Sequence, residues 1–386
     1  MKICFLTPEY PHHSTRSSGG IGTSIYNLAK GLIALGHQVT VIVFAQYEEA
    51  TFEENGVTIY KLKNISFKGL SFYLTQLKIA KLINKLYSEN KIDIVEAPDW
   101  TGCTAFVNVK CPVVLRLNGS DTYFCHLDQR PVKRKNRFFE KRALKRADGI
   151  ISVSKFTGDL TNEVFGVKRD FEVIPNAIDM SQFEGSSNSS DEQTILYFGT
   201  LIRKKGSLEL PLIFNEVYKK NNQANLILVG RDASDIITNN KSVWQMMQPL
   251  FDKEAFKNVT YLGSVPYSEI KNLINKASVC VFPTFAEALP VSWLEAMAMQ
   301  KPIVACNIGW ATEVIEDGKE GFLVHPKDHE LYAAKIEALL QDKALQVAFG
   351  KAAKAKILQK FSIEVVARQS LAFYSNYISK LHEERN

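Results

Sequence analysis

Residues 282–298 read FPTFAEALPVSWLEAMA. The apolar run that leads into this stretch predicts a buried strand ending at Phe282, and Pro290 suits the first turn of a helix. The loop between them carries Glu287, and the helix carries Glu295. Such a strand–loop–helix unit directs backbone N–H groups and the positive end of a helix dipole to one place, which favours binding of an anion such as a diphosphate.

The two glutamates flank this predicted anion site. Carboxylates repel phosphate but accept hydrogen bonds from hydroxyl groups, so the pattern suits a ligand with a charged centre and a polyol on either side. A sugar–diphosphate–ribose has that shape. The alternative interpretation of such a pair is structural, with Glu287 as a helix-capping residue and Glu295 as a solvated helix position.

Short apolar strands alternate with helical patterns along the whole chain, which predicts α/β architecture. In the first half the strands are expected at 1–8, 39–43, 92–95, 113–117, 149–153 and 172–174. In the second half they are expected at 195–198, 226–229, 259–262, 279–282 and 302–305. The pattern predicts two doubly wound, Rossmann-like domains that face each other across a cleft, where ligands of parallel sheets bind.

A length of 386 residues also favours two domains over one. We predict an N-terminal domain over 1–179, a polar, Ser-rich linker over 180–193 and a C-terminal domain over 194–361. Residues 362–386 are predicted to form an amphipathic helix that packs back on the N-terminal domain. Fold alone does not identify the chemistry, because dehydrogenases, epimerases and phosphorylases use related layouts.

Several motifs in order resemble the retaining, nucleotide-sugar glycosyltransferases of the GT-B fold (glycosyl transferases group 1). Residues 287–295 resemble their paired-glutamate signature, and the resemblance continues through Lys301-Pro302-Ile303-Val304-Ala305 and residues 313–324. Residues 197–206, YFGTLIRKKG, resemble the segment whose lysine contacts the donor phosphates, and residues 174–179 resemble the junction between the domains. The resemblance implies that the N-terminal domain is the acceptor side and that the C-terminal domain binds the donor. It also implies retention of anomeric configuration, with Glu287 orienting the sugar hydroxyls and Glu295 the ribose hydroxyls.

The candidate site residues follow from these motifs. Catalytic roles are expected for Glu287, Lys205, Arg203 and Asn118. Donor binding is expected for Gly19, Gly20 and Gly22 in a loop between a strand and a helix, and for Gly199, Gly230, Ala288, Leu289, Pro290 and Glu295. Glycines in such loops allow close approach of the backbone to a ligand, although glycines at tight turns are common.

Two positions depart from the family pattern. Asn118 stands where a histidine near the reacting sugar is frequent, and an amide cannot carry a proton. Thr200 stands where many members have an arginine beside the lysine. Arg203 is therefore expected to supply the second cation, or the diphosphate is held less tightly.

A metal ion and a cofactor are not expected, because no Asp-x-Asp cluster follows a strand and the nucleotide sugar is a substrate. The donor is expected to be a UDP-sugar and the acceptor a glycan or lipid-linked molecule of cell-surface polysaccharide or glycolipid synthesis. Two alternatives remain at this point. One is a nucleotide-sugar epimerase, and the other is a nucleic-acid-binding protein, although no motif that reads nucleic acid is recognisable.

The net charge of +6 is unevenly distributed, since residues 130–146 hold nine basic residues and one acid. This segment is either a solvated helix face or a contact for an anionic membrane surface. The six cysteines include no Cys-x-x-Cys pair, which favours buried thiols. The short apolar run before Pro8 does not resemble a signal peptide. A cytoplasmic location is expected, with peripheral binding at the inner face of the membrane as a hypothesis.

Overall fold

The computed structural model describes residues 1–16, 18–183 and 193–383, with side chains as far as residue 379. The chain divides into two compact units: Met1–Ile178 together with the chain from Lys360 onward, and Asp179–Gln359. Of the predicted linker, Met180–Phe183 forms a 3₁₀ turn, and residues 184–192 lie outside the described residues. Each unit is an α/β structure built on a mostly parallel sheet, as the sequence predicts.

The first unit contains an eight-stranded sheet in the order β3-β4-β2-β1-β5-β6-β7-β8. All neighbouring strands are parallel except the β3–β4 hairpin. The strands are β1 (Lys2–Thr7), β2 (Gln38–Gln46), β3 (Ala50–Glu54), β4 (Val57–Lys63), β5 (Ile94–Pro98), β6 (Val113–Leu117), β7 (Gly149–Ser152) and β8 (Glu172–Val173).

Helices cover both faces of this sheet, because its central strands are apolar on both sides. They are α1 (Gly20–Ala34), α2 (Ser71–Ser88), α3 (Asp121–Leu127), α4 (Arg134–Arg146) and α5 (Lys155–Phe165). On one face Ile3 and Phe5 pack with Leu28 of α1, and on the other Leu6 packs with Ile83 of α2.

The C-terminal helix belongs to the first unit and packs against α1, as predicted. It runs over Ile363–Glu383 and is numbered α13, after the helices of the second unit. A Cβ at Gly31 of α1 would lie 2.7 Å from the carbonyl oxygen of Ile363, so glycine permits this close crossing. Tyr374 of α13 donates to Glu96 (2.6 Å), which also forms a buried bidentate pair with Arg116. Helix α13 is therefore held to the rest of the first unit by polar as well as apolar contacts.

The second unit contains a six-stranded, all-parallel sheet in the order β11-β10-β9-β12-β13-β14. Its strands are β9 (Thr194–Phe198), β10 (Asn225–Val229), β11 (Val259–Tyr261), β12 (Val279–Phe282), β13 (Ile303–Ala305) and β14 (Gly321–Leu323). Its helices are α6 (Leu210–Lys220), α7 (Val243–Met247), α8 (Tyr267–Lys276), α9 (Val291–Ala298), α10 (Ala311–Val314), α11 (His329–Gln341) and α12 (Lys343–Lys356). The order reverses between β9 and β12, the switch point at which ligands of open α/β sheets bind.

Three strands were not anticipated: the β3–β4 hairpin and the edge strand β14. The hairpin turns at Asn55 and Gly56, both with positive φ. An Asn-Gly pair between strands is the usual sequence for such a turn. The remaining predicted strands differ from the observed ones by a few residues at their ends.

All six cysteines lie in the described part of the chain, are buried and form no disulfide, which agrees with the expectation from their spacing. Within the described residues, no helix combines the length and apolarity that a membrane span requires.

Candidate functional site

Two loops meet at the switch point of the second sheet, and glycines make the contact possible. The first loop follows β9 and the second follows β12. A Cβ at Gly206, where φ is +70°, would lie 1.7 Å from the carbonyl oxygen of Pro283. A Cβ at Gly230 would lie 1.9 Å from the carbonyl oxygen of Gly199. Gly230 belongs to the loop after β10, so a side chain there would push the loops after β9 and β10 apart, whereas one at Gly206 would push the loops after β9 and β12 apart.

Backbone hydrogen bonds hold the two loops together. The N–H groups of Phe285 and Ala286 donate to the carbonyl oxygen of Lys204 at 2.8 and 3.1 Å. These hydrogen bonds place Lys205, which follows Lys204, beside Glu287, which follows Ala286. The ammonium nitrogen of Lys205 lies 3.0 Å from Oε1 of Glu287. Two residues that are 82 positions apart in sequence thus form an ion pair at the edge of the sheet.

Lys205 stays charged in this setting. Burial, the largest single influence, disfavours its ammonium form, but opposing effects led by the carboxylate of Glu287 together hold the pKa of Lys205 above its ordinary value. Tyr197 and Glu295 act in the same direction. About a quarter of the lysine side chain is exposed. The loop therefore offers an accessible, fixed positive charge at the carboxyl end of β9.

The helix α9 presents the second glutamate. Pro290, placed in the first turn by the sequence analysis, is the residue immediately before α9. The first N–H groups of α9 have no acceptor within the helix, so this end favours an anion. Glu295 is buried, and its Oε1 accepts a hydrogen bond from the hydroxyl of Tyr267 at 2.8 Å.

The environment of Glu295 changes its proton affinity. Burial raises the pKa of this carboxyl to about 7, while the hydrogen bond from Tyr267 and the charge of Lys205 act against that shift. The carboxyl group is therefore balanced between its neutral and charged forms near neutral pH. One cation, Lys205, acts electrostatically on both members of the glutamate pair.

Arg203 lies on the same loop but has another partner. Its guanidinium donates two hydrogen bonds to the buried Asp235, at 2.8 and 2.9 Å. These hydrogen bonds hold the pKa of Asp235 well below its usual range. Asp235 also accepts hydrogen bonds from the backbone N–H and hydroxyl of Thr238, so it fastens the loop after β10. The role of Arg203 at a diphosphate stays a prediction, and its bond to Asp235 is a feature that the sequence analysis did not include.

In the first unit, the glycine loop leads into α1. Gly19 precedes the helix, and Gly20 begins it with no atom within 4 Å of where its Cβ would lie. Gly22 is buried, and its N–H donates to Oε1 of Glu9 at 2.9 Å. Glu9 therefore satisfies one N–H at the start of α1.

Asn118 lies at the carboxyl end of β6, where it is held through its backbone. Its N–H donates to Oδ1 of Asp99 at 3.0 Å. The other oxygen, Oδ2 of Asp99, is buried and has no hydrogen-bond partner among the described residues. Burial raises the pKa of Asp99 to about 7, with the N–H of Asn118 opposing the shift and Glu140 adding to it. A titratable carboxyl group thus binds the backbone N–H of Asn118, whose side-chain amide cannot titrate.

Two family profiles match the chain in sequence order. The one described as Glycosyltransferase Family 4 covers residues 18–182, and the one described as Glycosyl transferases group 1 covers residues 180–356. The second match includes both loops of the switch point. This chain is a group 1 glycosyltransferase. An uncharacterized glycosyltransferase of Methanocaldococcus jannaschii is 25% identical to it over 397 residues, which covers 97% of this chain and 98% of that protein.

Solved structures share the fold of this glycosyltransferase. Sucrose-phosphate synthase from Thermosynechococcus elongatus superposes with a TM-score of 0.77 at 18% identity, covering 98% of this chain and 100% of that one. HepE from Anabaena, solved in complex with UDP and glucose, gives a TM-score of 0.75 at 20% identity, covering 97% and 99%. The expected GT-B fold is therefore confirmed, and membership of a transferase family favours a transferase over the epimerase alternative.

The second unit brings together most of the predicted site residues of this glycosyltransferase. Lys205, Glu287, Glu295, Gly199 and Gly230 lie at one edge of its sheet, and residues 288–290 connect the two glutamates. Gly19, Gly20, Gly22 and Asn118 lie in the first unit. Tyr267 was not among the predicted site residues, although it begins the helix after β11 and therefore lies at the same edge. The sequence prediction did not include its bond to Glu295. It also missed Asp99, whose position at the end of β5 was the available signal.

Proposed function

We propose that this glycosyltransferase moves a sugar from a nucleoside-diphosphate sugar, by default a UDP-sugar, to a hydroxyl group of a glycan or lipid-linked acceptor. The transfer retains the anomeric configuration, needs no metal ion and serves cell-surface polysaccharide or glycolipid synthesis. One observation carries the proposal. The charged Lys205 pairs with Glu287 at the switch point and also acts on Glu295 of α9.

The leaving group explains why a fixed cation is useful there. In the reaction, the bond between the anomeric carbon and the diphosphate oxygen breaks, and negative charge grows on that oxygen. A positive charge and helix N–H groups that are already in place stabilise this charge without rearrangement. Lys205 and the start of α9 supply them. Donor binding then replaces part of the ion pair of Lys205 with a phosphate contact.

Release from Lys205 frees Glu287 for another partner. Its carboxylate can accept hydrogen bonds from the sugar hydroxyls, and we expect Glu295, which is hydrogen-bonded to Tyr267, to accept hydrogen bonds from the ribose hydroxyls. The acceptor oxygen bonds to the anomeric carbon on the face that the leaving group occupied, and its proton passes to the departing diphosphate. The product retains the anomeric configuration, as the family resemblance implies. The UDP donor is supported by the fold of HepE, which was solved with UDP and glucose.

Metal independence rests on the same positive charges. Because Lys205 and α9 face the place where the diphosphate leaves, a bound cation is not needed to neutralise it. Transfer should therefore continue in EDTA at an unchanged rate. Loss of activity in EDTA, with recovery in Mg²⁺ or Mn²⁺, would contradict this part of the proposal.

A thermal-shift screen of UDP, GDP, ADP and their sugars tests the proposed function directly. A ligand at one hundred times its dissociation constant adds about 2.7 kcal/mol to stability. We expect one nucleotide series to raise the unfolding midpoint of the wild-type protein and to raise that of Lys205→Ala less. Product analysis with donor alone completes the test, because interconversion of sugars without acceptor would indicate an epimerase. No shift with any nucleotide would refute the proposal.

A further inference from the structure

The start of α2 exposes an unusual number of apolar side chains. Leu70, Tyr73 and Leu77 recur at helical spacing on one side of α2, and Phe67 lies in the turn before it. Their exposed fractions are 56% for Phe67, 49% for Leu70, 42% for Tyr73 and 41% for Leu77. Single exposed apolar residues are ordinary, whereas a cluster of four marks a contact surface.

The turn before α2 is held in place by its own hydrogen bonds. The N–H of Phe67 donates to the hydroxyl of Ser71 at 2.8 Å, and that hydroxyl donates back to the carbonyl oxygen of Phe67 at 2.7 Å. The N–H of Leu70 donates to the same carbonyl oxygen at 3.1 Å. The apolar side chains are therefore presented by a fixed turn.

The helix α4 carries a basic stripe with an aromatic residue in it. Arg134, Phe138, Lys141 and Lys145 recur at spacings of four, three and four, which places them on one side of the helix. Phe138 is 58% exposed. The acid of this segment, Glu140, is buried and accepts the N–H groups at the start of α3. The Glu140 carboxylate therefore binds groups inside the first unit, and the charged side chains of the stripe are all positive.

Aromatic packing joins the two helices. Phe72 of α2 stacks on Phe139 of α4 with ring centroids 4.5 Å apart. The ammonium of Lys135 lies over both rings, at 5.8 and 5.5 Å. The ring of Phe139 also lies 5.7 Å from that of the exposed Phe138 and, through Phe106, is linked to the exposed Tyr73 by edge contacts of 5.5 and 5.3 Å. The exposed apolar residues of α2 and the stripe of α4 therefore form one surface, which we name the basic–apolar face.

We propose that the basic–apolar face docks this enzyme on an anionic membrane surface. Apolar and aromatic side chains enter the boundary between headgroups and acyl chains, while lysine and arginine meet the lipid phosphates. Charge complementarity selects this partner over a second copy of the chain, whose identical positive stripe would repel it. Exposed Leu70 and Leu77 favour lipid over nucleic acid, since neither side chain can read or stack on a base. Such docking suits a lipid-linked acceptor.

Sedimentation of the full chain with vesicles tests the inference. One set of vesicles is phosphatidylcholine alone, and the other has equal parts of phosphatidylcholine and phosphatidylglycerol. We expect the protein to pellet with the anionic vesicles at low salt and to be released by high salt. Arg134→Ser with Lys145→Ser should lower the partition coefficient about thirtyfold, since each basic contact is worth about 1 kcal/mol. Tyr73→Ser with Phe138→Ser should also reduce binding.

Matched controls separate this surface from general effects. Leu331 and Val347 are similarly exposed apolar residues of the second unit, at 45% and 46%. Leu331→Ser with Val347→Ser and Lys327→Ser with Lys351→Ser should bind vesicles as the wild type does. Recovery in the supernatant with anionic vesicles, or equal binding by the stripe variants, would overturn the proposal. So would a salt-sensitive shift of unrelated RNA at lower protein concentrations than vesicle binding needs. The assay uses no nucleotide sugar, so its failure would leave the transferase proposal intact.

Discussion

The carboxyl edges of the two sheets each hold a buried acid, in opposite electrostatic surroundings. In the second unit, Glu295 receives a hydrogen bond from Tyr267 and lies within the influence of the positive Lys205. In the first unit, Asp99 receives a backbone N–H and lies within the influence of the negative Glu140. Burial raises the pKa of both acids to about 7.

The difference in charge around the two acids suits the two units to different ligands. A cation that faces two carboxylates suits a ligand with an anionic centre and hydroxyl groups around it. A carboxyl group without such a cation suits a neutral partner and holds a backbone in position. We infer that the charge of the leaving group is handled by the second unit, whereas Asp99 positions the loop that carries Asn118.

The largest expected effect is on the glycines that allow the loops of the second unit to meet. Gly206→Ala places a Cβ against the carbonyl oxygen of Pro283 and strains a positive φ, so we expect a loss of about 4 kcal/mol of stability. Gly20→Ala in the first unit is the matched control, because its Cβ enters open space. Calorimetry measures both. Equal unfolding midpoints would refute the close contact.

The two buried acids should make stability depend on pH. The folded pKa of Glu295, about 7, lies above its unfolded value of 4.5, so the folded protein binds more protons between these values. The stability from neutral Glu295 is complete below about pH 4.5 and is lost as pH rises through 7, by about 3 kcal/mol. Glu295→Gln should therefore gain in unfolding midpoint relative to wild type from pH 5 to pH 9. Asp99→Asn should behave alike, and a pH-independent difference would count against either assignment.

Arg203 offers a contrast with Lys205 on the same loop. Because its guanidinium holds the buried Asp235, we expect Arg203→Ala to lower stability by about 2 kcal/mol at neutral pH. Since the pKa of Asp235 is depressed, this loss should be constant above its ordinary value of 3.8 and should shrink only as pH falls below that value towards the lower folded pKa. Denaturant titration at several pH values measures the loss. A large fall in turnover with unchanged stability would instead make Arg203 the second cation at the diphosphate.

The smallest expected effect concerns Tyr267, which orients Glu295 without a charge of its own. Tyr267→Phe removes one hydrogen bond, worth about 1 kcal/mol, and should weaken nucleotide binding about fivefold. Tyr218→Phe on α6 is the control. Calorimetric titration with the nucleotide identified by the screen would decide it, and unchanged binding would show that Glu295 does not need this partner.

Much of the fold follows from local pattern. Strands of parallel sheets are buried on both faces, so they appear in the sequence as short apolar runs such as Val279–Phe282. The alternation of these runs with helical segments predicts two doubly wound units. The β3–β4 hairpin was missed although Asn55-Gly56 marks it, because its strands are partly polar and partly exposed. Strand β14 (GFL) was missed because it contains no β-branched residue, unlike the equally short β11 and β13.

Only the site residues that stand in recognisable sequence motifs could be predicted. Lys205, Glu287 and Glu295 stand in recognisable segments, and the structure joins them. The partners Tyr267 and Asp235 could not be predicted, because each depends on which loops meet at the sheet edge. Arg203 was predicted to contact the diphosphate because it is a cation near Lys205 on a loop where Thr200 carries no charge. In the structure its guanidinium instead donates to Asp235, in the loop after β10.

Single-turnover transfer by Lys205→Ala, with its chain neighbour Lys204→Ala as the control, tests the central claim most directly. The charge that Lys205 meets appears as the diphosphate departs, so its loss should slow chemistry more than it weakens donor binding. We predict about a hundredfold lower rate, or about 3 kcal/mol, for Lys205→Ala and a nearly unchanged rate for Lys204→Ala. Wild-type turnover in Lys205→Ala would contradict the assignment of the leaving-group charge to the second unit.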